Sequence, residues 1–161
     1  MHTQTSVAPE TPSAVRAWTR LLRAHAATTR VLSAELQSDH GLSLNDFEAL
    51  YVLSGAEGGR MKRVELARRL LLTPSGITRL LEGLEQAGLV RRTTCPTDLR
   101  VAYAELTPEG RERFEAASCA HVGSIRDLME EHFSEDELDE LGDMLGRLPG
   151  VAEGDETCAA L

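Results

Sequence analysis

Leu72-Thr73-Pro74-Ser75-Gly76-Ile77-Thr78-Arg79 is the stretch on which the fold turns. Thr73 is a strong helix N-cap and Pro74 suits the first helical position, where a missing N–H is no loss. Leu72 and Ile77 stand where an apolar pair closes across such a cap. The helix is expected to run to Ala87, with Gly88 as its stop. Before it, Val64, Leu66, Ala67 and Leu70 share one face of a short helix. After it, Leu89 to Thr94 and Val101 to Leu106 read as two strands around a turn at Cys95-Pro96-Thr97-Asp98.

Helix, tight turn, helix, hairpin is the order of a winged helix-turn-helix. The fold class expected is mostly α with a small β wing, the reading head flanked by N- and C-terminal dimerisation helices. Residues 1–10 are polar and aperiodic and read as disordered. Residues 11–41 form one long helix, with Val15, Trp18, Leu21, Leu22, Ala26, Thr29, Leu32 and Leu36 at helical spacing. The DNA-binding domain spans 42–106. Its first helix opens at Ser43, with Asp46 at the capping-box position and Leu42 and Phe47 as the staple. Gly55, Gly58 and Gly59 end it, and Arg60-Met61-Lys62 is a short strand for the hairpin to pair with. Residues 107–150 hold two further helices. Thr107-Pro108 opens one, striped by Phe114, Ala117, Val122, Ile125, Met129 and Phe133. Ser134 opens the other, striped by Leu138, Leu141, Leu145 and Leu148. Residues 151–161 read as an acidic mobile tail. So small a head cannot cover the stripes of all the outer helices, and a two-fold homodimer is the commonest way to hide them.

The 161 residues carry a net charge of −9, which looks unfavourable for nucleic acid. The distribution reverses that impression. Residues 60–100 hold nine Lys/Arg against four Asp/Glu, a local +5, and the rest of the chain carries −14. A basic patch on the reading head drives phosphate binding, whatever the overall charge. No apolar run is long enough for a membrane span, and the N-terminus has no apolar signal core. The expected location is the cytoplasm.

A helix in the major groove reads base edges from its first turns. Here those turns present Thr73, Pro74, Ser75, Gly76, Thr78 and Arg79. Arg79 is the candidate base contact, because its fork matches the two acceptors of guanine. Arg63, Arg68 and Arg69 on the preceding helix, and Arg91 and Arg92 on the wing, are candidate phosphate contacts, which position without reading sequence. In the wing, Asp98 can hold Arg100 so that its guanidinium enters the neighbouring minor groove.

The chain resembles the MarR family, the multiple-antibiotic-resistance type of bacterial regulators. The matching residues are Leu66-Ala67 with Leu70; Ser75, Thr78-Arg79-Leu80, Leu84-Glu85, Gly88-Leu89-Val90 and Arg92; Asp98 with Arg100; and Leu106-Thr107-Pro108-Glu109-Gly110. The match spans about residues 42–114. Cys95 departs from it, standing where the family often has an acidic residue. The resemblance implies a homodimer with interlocked outer helices, binding to a near-palindromic operator, action usually as a repressor, and release by a small effector or oxidant. It also places an effector pocket, often for aromatic or anionic ligands, between the outer helices and the head. Trp18, His25 and Tyr51 are its candidate residues, with core or dimer packing as the other reading of Trp18 and Tyr51.

Three cysteines at wide spacing make neither a disulfide framework nor a zinc site. Cys95, among arginines that would lower its pKa, is the redox candidate, and Cys119 reads as a small packed residue. The organic-hydroperoxide-sensing branch keeps its reactive cysteine in the first helix, which has none here. His25, His40, His121 and His132 are scattered, so no metal is expected. No catalytic arrangement, Gly-rich phosphate loop or cofactor motif is recognisable, which speaks against an enzyme. The alternatives to a DNA-binding repressor are a winged-helix protein–protein adaptor and a thiol-based regulator using Cys95.

Overall fold

The computed structural model describes residues 12–94, 101–149 and 151. The chain divides into two units, residues 1–31 and 32–161. The first helix, α1, runs Ser13–His40 through the boundary between them. In the first unit Val15, Trp18, Leu22 and Val31 are exposed, Trp18 to 59%. Trp18 is therefore not a core residue of this chain.

In the second unit the order is α2 (Leu44–Ser54), a short 3₁₀ turn, β1 (Arg60–Lys62), α3 (Arg63–Arg69), α4 (Pro74–Gln86), β2 (Val90–Thr94), β3 (Ala102–Leu106), α5 (Pro108–Glu130) and α6 (Glu135–Gly146). The strands form one antiparallel sheet in the order β1-β3-β2, with Met61 opposite Ala104 and Arg91 opposite Glu105. The expected strand at Arg60-Met61-Lys62 is present. Both capping boxes form. Ser43 accepts from the Asp46 N–H and Ser134 from the Glu137 N–H, and each acid accepts a bond from its cap backbone. The bonds from Ser134 hold the Glu137 carboxyl below its usual range.

The core gathers where α2 meets the helix pair and the sheet. Leu50, Leu53, Leu66 and Leu81 are fully buried there, with Phe47, Ile77, Leu84, Leu89, Leu106 and Phe114 around them. Each such side chain contributes about 1.5–3 kcal/mol by leaving water. Val64 is a correction. Its spacing predicts the buried face of α3, but it is 75% exposed, because the helix turns Leu66 and, in part, Ala67 to the core instead. Cys119 is another, exposed on the outer face of α5. Ile125 and Phe133 are exposed too, and α6 buries no residue at all.

The turn between α3 and α4 carries the one non-glycine residue at positive φ among those described, Leu71 (φ 53°). Leu72 N–H reaches back to the Ala67 carbonyl (2.9 Å) and Leu71 N–H to that of Arg68 (3.2 Å), a closure that places a left-handed residue between them. Glycine is usual at such a site. Leu71 is 92% exposed, so its side chain gains nothing from burial that would offset the strain. Leu71→Gly is expected to raise stability by about 0.5–1 kcal/mol, read as a higher denaturant midpoint at unchanged slope.

Thr107 ties α5 to the hairpin. Its N–H donates to the Leu89 carbonyl (3.1 Å), its hydroxyl faces the carbonyls of Gly88 (2.7 Å) and Leu89 (3.1 Å), and its oxygen caps the Gly110 N–H (2.9 Å).

Candidate nucleic-acid interface

The first turn of α4 is built as its sequence predicts. Thr73 Oγ1 accepts from the Gly76 N–H (3.1 Å) and lies 3.2 Å from Ser75 Oγ. Ile77, Leu81 and Leu84 anchor the inner face of the helix. That orientation leaves Thr73, Pro74, Ser75 and Arg79 exposed and Gly76 and Thr78 half-buried. A Cβ on Gly76 would stand 3.2 Å from Thr73 Oγ1, so glycine keeps the cap uncrowded. The outer surface of this end is small side chains and one long arginine.

Arg63 is placed more firmly than the sequence implies. Its Nη2 donates to Thr78 Oγ1 (3.2 Å), which itself donates to the Pro74 carbonyl (2.9 Å). This bond joins the start of α3 to the start of α4. Arg68 and Arg69 are exposed, and Arg69 also pairs with Glu65 across one turn (3.4 Å). Arg92 is exposed on β2. Arg91, a candidate phosphate contact by sequence, is instead paired with Glu105 directly across the strands. That hydrogen bond, with charge attraction from Arg91 and Arg60, holds the Glu105 carboxyl below its usual range. The pair is exposed enough that it contributes little to stability. Asp98, Arg100 and Cys95 lie outside the described residues, as do residues 1–10 and, save Val151, the expected tail at 151–161.

A cavity of about 520 Å³ opens between α2, the end of α3 and α5. Tyr51 lines it, together with Phe47, Leu70, Leu71, Arg69 and His121. Of the other candidate pocket residues, Trp18 and His25 belong to the first unit. His121 is a site residue that sequence reasoning missed. It is only 8% exposed, and its ring meets Phe47 edge-on at 4.7 Å. Burial pushes the His121 imidazole below its usual pKa, against a weaker upward pull from Glu35. A signal exists, because position 121 continues the helical spacing of Phe114 and Ala117. No group of three or more His, Cys, Asp or Glu among the described residues is arranged to hold a metal ion. No described helix is long and apolar enough to cross a membrane.

The MarR family model matches residues 40–100, from the end of α1 to the wing turn. The crystal structure of AbsC, a MarR family transcriptional regulator from Streptomyces coelicolor, is similar over 86% of this chain and 93% of AbsC, at 32% identity and a TM-score of 0.76. The chain belongs to the MarR family. Its helices and three-stranded sheet are those of a MarR winged helix, and its relatives are transcription regulators, not enzymes. Sco3205, a MarR family regulator from the same organism, is similar over 91% of this chain and 96% of its own, at 27% identity and a TM-score of 0.77, and its structure was solved in complex with DNA. The transcriptional repressor YetL of Bacillus subtilis (strain 168) is 39% identical over 108 residues, 67% of this chain and 64% of YetL.

Proposed function

We propose that this MarR-family chain is a sequence-specific, ligand-responsive repressor, acting in the cytoplasm as a homodimer on a near-palindromic operator. The observation that carries the reading is the exposed, capped first turn of α4, with Arg79 on its surface and Arg63 bonded beneath it to Thr78. The exposed Thr73 and Ser75 hydroxyls there suit phosphate, and Arg79 suits a guanine edge. Arg68 and Arg92 add positive charge beside that turn and on the wing, the local pattern that phosphate binding needs. Asp98 and Arg100 would extend the contact into the minor groove. The likeness to Sco3205, crystallised with DNA, supports the same reading.

Homodimerisation is supported by apolar side chains that this chain leaves in water. They are Val15, Trp18 and Leu22 in the first unit, and Ile125, Phe133, Met144 and Leu148 in the second. Two copies would set their α4 helices in successive major grooves, about one helical turn apart. Ligand response is supported by the apolar cavity beside Tyr51, whose lining includes Leu70 and Leu71, the residues that lead into the cap of α4. A molecule seated there touches the segment that aims the reading helix.

The test is binding of the full chain to duplex from immediately upstream of its own gene, titrated against salt and excess nonspecific duplex. Tight binding that survives competitor and weakens steeply with salt is expected. Binding abolished by competitor overturns sequence specificity. Absence of binding even at low salt overturns the DNA-binding reading in favour of a protein–protein adaptor.

A further inference from the structure

Arg91-Arg92-Thr93-Thr94 carries more chemistry than a phosphate contact. Adjacent arginines occur twice in the chain, and at Arg68-Arg69 the next two residues are leucines. Only the second pair is followed within two residues by a hydroxyl. Arginines two and three residues before a hydroxyl are the charge pattern that an acidic kinase cleft selects. The fold presents the segment in the form such a cleft accepts. β2 holds it extended, and in the order β1-β3-β2 no described strand pairs with its outer side. Arg91, Arg92 and Thr94 are exposed. Arg91 is held by Glu105, but an exposed pair of that kind opens at little cost. The two threonines differ. Thr93 Oγ1 is buried, so Thr94 alone offers its hydroxyl.

Side chains alternate along a strand, so Thr94 shares a face with Arg92 and Val90. Val90 on that face is buried in the core that α4 supplies with Leu81 and Leu84, and β2 packs against α4. Arg92 and Thr94 therefore continue the side of the wing on which α4 lies, the side proposed to meet DNA.

We propose that Thr94 is the acceptor of a serine/threonine protein kinase that reads arginine on the N-terminal side of its target, and that a phosphate there releases the protein from DNA. The release rests on the DNA-binding reading, whereas the acceptor does not. In the reaction the kinase's nucleoside triphosphate gives its γ-phosphoryl group to Thr94 Oγ1. The bond from the γ-phosphorus to the bridging oxygen breaks and a bond from that phosphorus to Oγ1 forms. The hydroxyl proton passes to the kinase's general base, and the nucleoside diphosphate leaves. The product carries a charge of about −1.5 to −2. Its Cα stands about 7 Å along the strand from that of Arg92, within reach of a long side chain. The phosphate can therefore draw the Arg92 guanidinium away from DNA, and it repels the DNA phosphates itself.

The test incubates the full chain with magnesium ATP and the catalytic subunit of the cyclic-AMP-dependent kinase, an enzyme of this arginine-directed class. Fragmentation mass spectrometry locates the modified residue. Phosphate is expected on Thr94 and not on Thr93. Thr94→Val keeps a good strand residue at an exposed position, and is expected to take no phosphate on β2 while binding DNA as the unmodified chain does. Arg91→Ala is expected to slow the modification about tenfold or more. The second measurement is binding to duplex from immediately upstream of the chain's own gene. The phosphorylated chain is expected to bind about tenfold or more weakly, with the slope of log affinity against log salt lowered by about one to two. Thr94→Glu, which adds a single charge, is expected to show a smaller loss in the same direction. No phosphate on Thr94, or an equal rate in Arg91→Ala, overturns the acceptor assignment. Phosphate on Thr94 with unchanged affinity for DNA overturns the release. An unmodified chain that binds no duplex even at low salt overturns the DNA-binding reading instead, and the mapping still decides the acceptor.

Discussion

Gly110→Ala is expected to lower stability by about 3 kcal/mol, a fall in Tm of roughly 10 °C for a chain of this size. A Cβ at position 110 would overlap the carbonyl oxygen of Leu89 and stand 2.9 Å from both the Leu89 carbonyl carbon and Leu106 Cδ1. Two of those atoms are backbone, so no rotamer change relieves the overlap. Either α5 lifts from the hairpin or the hairpin bends. Both movements break the joint made by Thr107, whose N–H and hydroxyl are spent on the Gly88 and Leu89 carbonyls. Thermal unfolding with Gly83→Ala as the control measures the effect. Gly83 is exposed in the middle of α4, and a methyl group there would meet nothing within 4 Å, so alanine is expected to stabilise by up to about 1 kcal/mol. A loss under 1 kcal/mol at Gly110 would mean that the corner is more yielding than its geometry implies.

The elements of this fold are legible in the sequence because their boundaries are set by local chemistry. Ser43 with Asp46, Thr73 with Pro74, Thr107 with Pro108 and Ser134 with Glu137 each fix a helix start within a few residues, and all four starts fall there. Interactions that depend on register or on packing between elements are less legible. Arg91 has the character of a phosphate contact until the pairing of β2 with β3 sets Glu105 opposite it. That register sets residues 14 positions apart face to face, which residue types alone do not announce. Val64 has the right spacing for a buried face, but α3 is too short to bury more than one flank. His121 escapes notice for the opposite reason. Its position matches the α5 stripe, and only its polarity keeps it out of the expected core, although polarity inside an apolar wall is what makes it chemically interesting. The Arg63 bond to Thr78 spans 15 residues and two helices, a distance at which residue types alone say nothing.

Arg79→Ala is expected to reduce operator affinity about ten- to a hundredfold and to relax sequence preference at one base position in each half-site, with the fold unchanged. The side chain is exposed on α4, and the helix is held by Ile77, Leu81 and Leu84 on the other face, so truncation removes nothing from the core. A guanidinium fork matched to guanine carries sequence information, so its loss falls unevenly across operator variants. Arg68→Ala should behave differently. As a phosphate contact it is expected to weaken all duplexes alike and to lower the slope of log affinity against log salt by about one. Arg63→Ala should resemble neither, because its loss frees Thr78 and loosens the joint between α3 and α4. It is expected to cut affinity for operator more than for nonspecific duplex, without selecting a base position. Measuring all three variants against the operator, single-base operator variants and nonspecific DNA over a range of salt separates reading, charge and positioning. Full operator affinity in Arg79→Ala, or a loss equal on every duplex, would remove Arg79 from the reading role and leave the first turn of α4 to act through its backbone and small side chains alone.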